Sequence, residues 1–348
     1  MNPTPPESDS RISAPDTAPD SSSPPTPFSI SNLFLDPHGL RPIWSIALFL
    51  ALWILLRQLT LPIAQALLPS TSPAGHLIPA RAEYIFEASS LLCVAAATWF
   101  MAQLESSPIS AYGFRLRHSL RNFAAGTAWG IALLSLLVFT LHASGLLMFD
   151  SRLLFRTSIL QYAIVWAVGF LLVALAEESL LRGYLQFTLT RALTAIFRRL
   201  TPTHAELIAF WTAAILLSIA FGAIHSNNPG ESPIGLLAAT LVGLIFCLSL
   251  WRTGSLWWAI GFHAAWDWAQ SFLYGVPDSG LLIQGHLFAT NPTGRPILSG
   301  GLTGPEGSLL IVPILLATCA ALILTQPRTH TPYIEASTAP PSAALDLP

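Results

Sequence analysis

Two adjacent carboxylates interrupt an apolar run, Val173-Ala174-Leu175-Ala176-Glu177-Glu178-Ser179-Leu180-Leu181-Arg182-Gly183. A charged side chain at the centre of a membrane helix costs roughly 2.5–3.5 kcal/mol. Such a pair must therefore be ion-paired, protonated or put to work. Two further apolar stretches carry polar groups at helical spacing: Phe221-Gly222-Ala223-Ile224-His225, and His263-Ala264-Ala265-Trp266-Asp267. Together, Glu177, Glu178, Arg182, His225, His263 and Asp267 have the chemistry of a catalytic or metal site.

Spacing sorts these groups into roles. Residues four apart share a helix face, so Glu178 and Arg182 can pair, with the acid N-terminal in the favourable order. Glu177 lies about 100° further round the helix and lacks that partner, which leaves it free to act on a substrate. The reverse assignment of the two acids stays open. His263 and Asp267 also share a face, whereas His225 can join them only through tertiary packing. Two imidazoles and carboxylate oxygens, with one position left for water, describe a catalytic zinc site with Glu177, His225, His263 and Asp267 as the ligands. Without metal, Glu177 would activate water while the imidazoles stabilise an oxyanion. Both schemes hydrolyse an acyl bond. No GxSxG, HExxH or Cys–His signature is present, so no covalent acyl-enzyme is expected.

The elements that must position these residues are membrane helices. The 348-residue chain is 53% hydrophobic and 10% charged, against about 25% charged in soluble domains. Apolar spans of about 20 residues fall near 43–67, 84–104, 123–147, 161–189, 205–224, 233–251, 256–274 and 308–325. The expected fold is all-α, a polytopic membrane bundle of about eight transmembrane helices. A Pro/Ser-rich tail over 1–41 and a second tail over 327–348 bury too little apolar surface to order, leaving 42–326 as the membrane domain. Arg115, Arg117, Arg121, Arg191, Arg198, Arg199, Arg252 and Arg328 fall in alternate connections. The positive-inside rule then puts both termini in the cytoplasm of a cell with this chain in its inner membrane.

Other features read more plainly. A net charge of −2 gives no reason to expect a nucleic-acid partner. Trp44, Tyr84, Tyr112, Trp251, Trp257 and Trp258 read as interfacial anchors. Gly126 and Gly130 form a GxxxG pair that lets helices pack closely. The glycine-rich connection 278–307 reads as a flexible loop, with a functional lid as the alternative. Cys93, Cys247 and Cys319 read as small core residues, and the remaining seven histidines as loop or interface residues.

Glu177-Glu178-x-x-x-Arg182-Gly183, Phe221-x-x-x-His225 and His263-x-x-x-Asp267 resemble, in order and on separate spans, the three motifs of the CPBP intramembrane proteases. That is the Abi or CAAX-protease group, which includes the type II CAAX prenyl endopeptidases. The likeness runs over about 104–325 and takes in Ser110-Ala111-Tyr112-Gly113-Phe114. It implies a helical bundle with an internal polar cavity, Glu177 as the water-activating acid, and a peptide or protein substrate met at the lipid bilayer. His225, His263 and Asp267 fill the remaining catalytic or metal-binding positions. Asp267 departs from the asparagine usual in the prenyl endopeptidases, and its negative charge favours a cation such as Zn2+. The rival expectations are a non-proteolytic membrane scaffold or bacteriocin-immunity-type protein, and a proton-coupled transporter using the acids as a relay.

Overall fold

The computed structural model describes residues 31–36, 39–68 and 77–326. Expectations for 1–30 and 327–348 lie outside the described residues. The helices are α1 (Pro42–Ala66), α2 (Ala80–Leu104), α3 (Ser119–Ala143), α4 (Thr157–Glu178), α5 (Gln186–Phe197), α6 (Ala205–Ile224), α7 (Pro233–Thr253), α8 (Trp257–Asp267) and α9 (Ile311–Thr325). A π-helical turn, Ser179–Leu185, fuses α4 and α5 into one rod, and a second, Trp268–Leu273, extends α8. Six of these rods are long and apolar enough to cross a membrane: α1, α2, α3, α4–α5, α6 and α7. The chain is thus a polytopic helical bundle. With its π turn α8 runs over 257–273, close to the expected span, and α9 holds 15 residues.

Local chemistry sets the boundaries. Pro42 and Pro233 occupy first-turn positions of α1 and α7, where a missing N–H costs nothing. Ser232 caps α7 by accepting from Gly235 N at 3.1 Å. Gly254, at φ 65°, ends the same helix in the left-handed region.

The GxxxG pair packs as expected, and its partner is α8. A methyl group at Gly126 would lie 2.1 Å from the Trp258 carbonyl oxygen, and one at Gly130 2.6 Å from that of Phe262. Gly261 on α8 answers with its own bare backbone, 2.3 Å from where a methyl would meet Phe123 O. Small residues on both partners let the backbones touch. In contrast, α1 buries only Ser45, Phe49 and Ala64 and turns its remaining apolar surface outward, as a lipid-facing helix does.

The bundle has two distinct ends. At one, Trp257 Nε1 donates to Arg115 O at 3.1 Å, and Arg252 binds the Ile323 and Gln326 carbonyls closing α9. Here too Glu105 accepts from Tyr112, Tyr184 and Arg191 at 3.3, 3.1 and 3.2 Å. Burial and then the Glu105 carboxylate push the Tyr112 phenol above its usual range. At the other end, β1 (Leu147–Arg152) pairs antiparallel with β2 (Phe288–Pro292), and Leu77–Ile78 runs parallel to Leu282–Ile283. The connection 274–310 is not a loose loop. Gly280 N donates to Thr303 O at 3.0 Å, and Thr303 Oγ1 to Gly230 O at 3.0 Å. It forms a strap over this end.

Three of the expected anchors are core residues instead: Tyr112 and Trp258 are fully buried and Trp251 is buried against Phe210. The Glu105 hub draws Tyr112 inward, and the α3–α8 contact Trp258.

Candidate active site

The two acids sit at the C-terminus of α4, immediately before the π turn. Such turns recur at functional sites because one extra residue re-aims the following side chains. Glu178 is fully buried and Arg182 is 1% exposed. Arg182 NH1 donates to Glu178 Oε1 at 2.9 Å. The guanidinium carbon lies 4.3 Å from the Phe221 ring centre and 5.5 Å from that of Phe246. Stacking between aromatic faces is a common way to hold a desolvated arginine. A methyl at Gly243 would come within 2.6 Å of the same guanidinium, so α7 needs a glycine there.

His263 bridges the acids. Its Nδ1 lies 3.2 Å from Glu178 Oε1, while Nε2 faces Asp267 Oδ2 at 3.4 Å and Glu177 Oε2 at 3.7 Å. Glu178 already accepts from Arg182, so the Nδ1–H donates to it and Nε2 is left to the other two carboxylates. Phe246 stacks on the imidazole at 5.5 Å and 27°. Oε2 of both acids is without a donor, but the Glu177 side chain keeps 35% of its exposure where that of Glu178 keeps none. Of the two acids, Glu178 is thus the anchored one and Glu177 the one open to a ligand.

Glu177, His225, His263 and Asp267 all line one cavity of about 300 Å³. His225 enters from the C-terminal cap of α6, with Nδ1 2.7 Å from Phe221 O. A carbonyl only accepts, so Nδ1 carries the proton and Nε2 is turned away from the helix. Straight spans would hold His225 and His263 at different depths. Here both line one cavity, and the Phe221 ring, one turn before His225, lies 6.2 Å from that of His263.

The cavity also holds acids that the motif reading does not single out: Glu83 and Glu87 from α2, and Asp278 and Glu306 from the strap. Glu83 and Glu87 repeat the signal that marks Glu177 and Glu178, carboxylates inside an apolar run, at i,i+4 spacing. Asp278 and Glu306 lie in irregular chain and carry no sequence signal. Burial, then the Asp267 and Glu306 charges, raise the Asp278 pKa well above the ordinary range.

Among the described residues, no group of three or more His, Cys, Asp or Glu side chains is arranged to hold a metal ion. His263 directs Nδ1 to Glu178 and His225 directs its own to a backbone carbonyl, the outer-shell contacts that orient Nε2 of a histidine toward a ligand.

Residues 157–269 match the family model for type II CAAX prenyl endopeptidases, Rce1-like. That segment carries all six motif residues. No curated protein and no solved structure matches the chain.

Proposed function

We propose, from the premise that the chain belongs to the CPBP/CAAX protease family, that it is a multi-pass membrane endopeptidase in which Glu177 activates the attacking water. The observation that carries this is the pairing of an unbonded Glu177 Oε2 with His263 Nε2, 3.7 Å apart in a walled cavity. That gap is too long for a direct hydrogen bond, and the scheme places the attacking water between them once the carboxylate of the 35%-exposed Glu177 side chain turns to admit it.

In this scheme Glu177 takes a proton from water as its oxygen forms a bond to the peptide carbonyl carbon. The carbonyl π electrons move onto oxygen to give the oxyanion. When that oxyanion collapses, the C–N bond breaks and Glu177 returns the proton to the departing nitrogen. Glu178, held by Arg182, fixes the His263 ring so that Nε2 points at the water. Asp267 supports that ring from the cavity side. His225, on the lining of the same cavity, is assigned to stabilise the oxyanion. Every step uses the chain's own groups.

The basic connections put their end of the bundle in the cytoplasm, so the cavity would face the opposite side of an inner membrane. The substrate is a peptide or protein segment at that face.

The test is cleavage of a peptide library by purified protein in detergent, wild type against Glu177→Gln. The expected loss is about 10²- to 10⁴-fold in kcat with an unchanged melting temperature. Equal cleavage by both overturns Glu177 as the base, and no cleavage by wild type favours the non-proteolytic scaffold. Metal content of the same sample reads the zinc expectation directly.

A further inference from the structure

The scheme above uses Glu177 and Asp267 and leaves four cavity carboxylates without a task. Glu83 and Glu87 lie one turn apart on α2, and Asp278 and Glu306 come from the strap. Among the described residues no Arg lines the cavity, and the chain contains no lysine at all. Arg57 on α1 acts electrostatically on Glu87 but is not part of the wall. The Glu306 carboxylate is held in place, accepting from Trp266 Nε1 at 2.9 Å and Ser279 Oγ at 3.3 Å. The same cavity also has an apolar lining, which includes Ala238, Ala239, Val242, Ile311 and Leu315.

We infer that the cavity selects a peptide in which a basic residue borders an apolar run, the acidic wall taking the cation and the α7–α9 wall the apolar side chains. This rests on the peptidase reading and names the substrate class of that same site. Carboxylates crowded in a space of about 300 Å³ repel one another and favour any cation brought among them. The same field opposes an anion. A CAAX motif ends in a free C-terminal carboxylate, and the Arg182 guanidinium that could meet one is buried against Glu178. An internal basic site bordering a membrane span matches both walls, and a free C-terminus matches neither.

The experiment uses the full-length protein in detergent and three peptides that share an apolar run and differ in one flanking residue: Arg, Gln or Glu. Wild type should cleave the Arg peptide with kcat/KM at least about tenfold above the Gln peptide, and the Glu peptide least. In Glu83→Gln/Glu87→Gln the Arg:Gln ratio should fall toward one. In Glu206→Gln, at an exposed pair with Arg198, the ratio should stay as in wild type. Binding of the same labelled peptides to Glu177→Gln separates the two failures. If wild type cleaves nothing but the variant binds Arg over Gln and Glu, the peptidase reading falls and the charge selection stands. If wild type cleaves all three alike, or prefers a free C-terminal carboxylate over its amide, the charge selection is overturned while the peptidase reading stands.

Discussion

Glu178 and Arg182 show how a membrane protein keeps a charge where a charge is expensive. Each is almost wholly removed from solvent, and their 2.9 Å contact lies between aromatic rings. Removing one partner of such a pair costs about 3–5 kcal/mol, because the other is left buried and uncompensated. Arg182→Met should therefore lower the melting temperature strongly. Glu178→Gln combined with Arg182→Met should recover most of that stability without recovering activity, since His263 loses the anion that orients Nδ1. Thermal melts and peptide turnover on the same preparations separate the two effects. If the double variant were as active as wild type, the ion pair would be structural only. The neighbouring acid differs in lacking an arginine partner and in keeping 35% of its side-chain exposure, where Glu178 keeps none.

At the level of elements, α8 is the part whose placement matters most. It carries His263 and Asp267 and lies against α3 through Gly126, Gly130 and Gly261. A methyl at Gly126 has a carbonyl oxygen 2.1 Å away, and rigid backbone cannot yield as a flexible side chain would. Gly126→Ala should cost about 1–3 kcal/mol, the usual range for overpacking, and should lower kcat by displacing the imidazole. Gly145→Ala, where nothing lies within 4 Å of the new methyl, shares the substitution without the clash, though its φ of 71° adds local strain. Activity in Gly126→Ala equal to wild type would show that α8 tolerates a shift. The π turns after Glu178 and after Asp267 belong to the same design. Each follows directly on a motif and alters the phase of the helix beyond it.

On the scale of the whole molecule, the bundle separates an arginine-rich end from an end with an acid-lined cavity covered by the strap. Asp278 couples the strap to the bundle, accepting from Ser271 Oγ at 3.4 Å. Its folded-state pKa is raised, first by burial and then by Asp267 and Glu306, so the folded protein holds this proton more tightly than the unfolded chain. Stability from this group is intact below the unfolded pKa of about 4 and declines as pH rises from there toward the folded value. Asp278→Asn removes that decline. Its melting temperature should match wild type near pH 4 and exceed it increasingly toward pH 8. A constant difference across that range would mean that Asp278 is ionised in the fold.

The amino-acid sequence was enough to determine the class of fold and to single out the residues proposed for the site. Hydropathy marks each span because lipid tolerates only helices that satisfy their own backbone. Glu177, Glu178, Arg182, His225, His263 and Asp267 stand out because polar groups are costly in that solvent, and i,i+4 spacing already pairs Glu178 with Arg182 and His263 with Asp267. The tertiary structure alone decided which acid is anchored and which is open, because His263 arrives from a helix 85 residues away. It also decided that the connection after Tyr274 is a strap, that Tyr112 and Trp258 are core, and that Glu83, Glu87, Asp278 and Glu306 share the cavity. Those outcomes depend on packing between distant segments, and helical periodicity describes only neighbours along one rod.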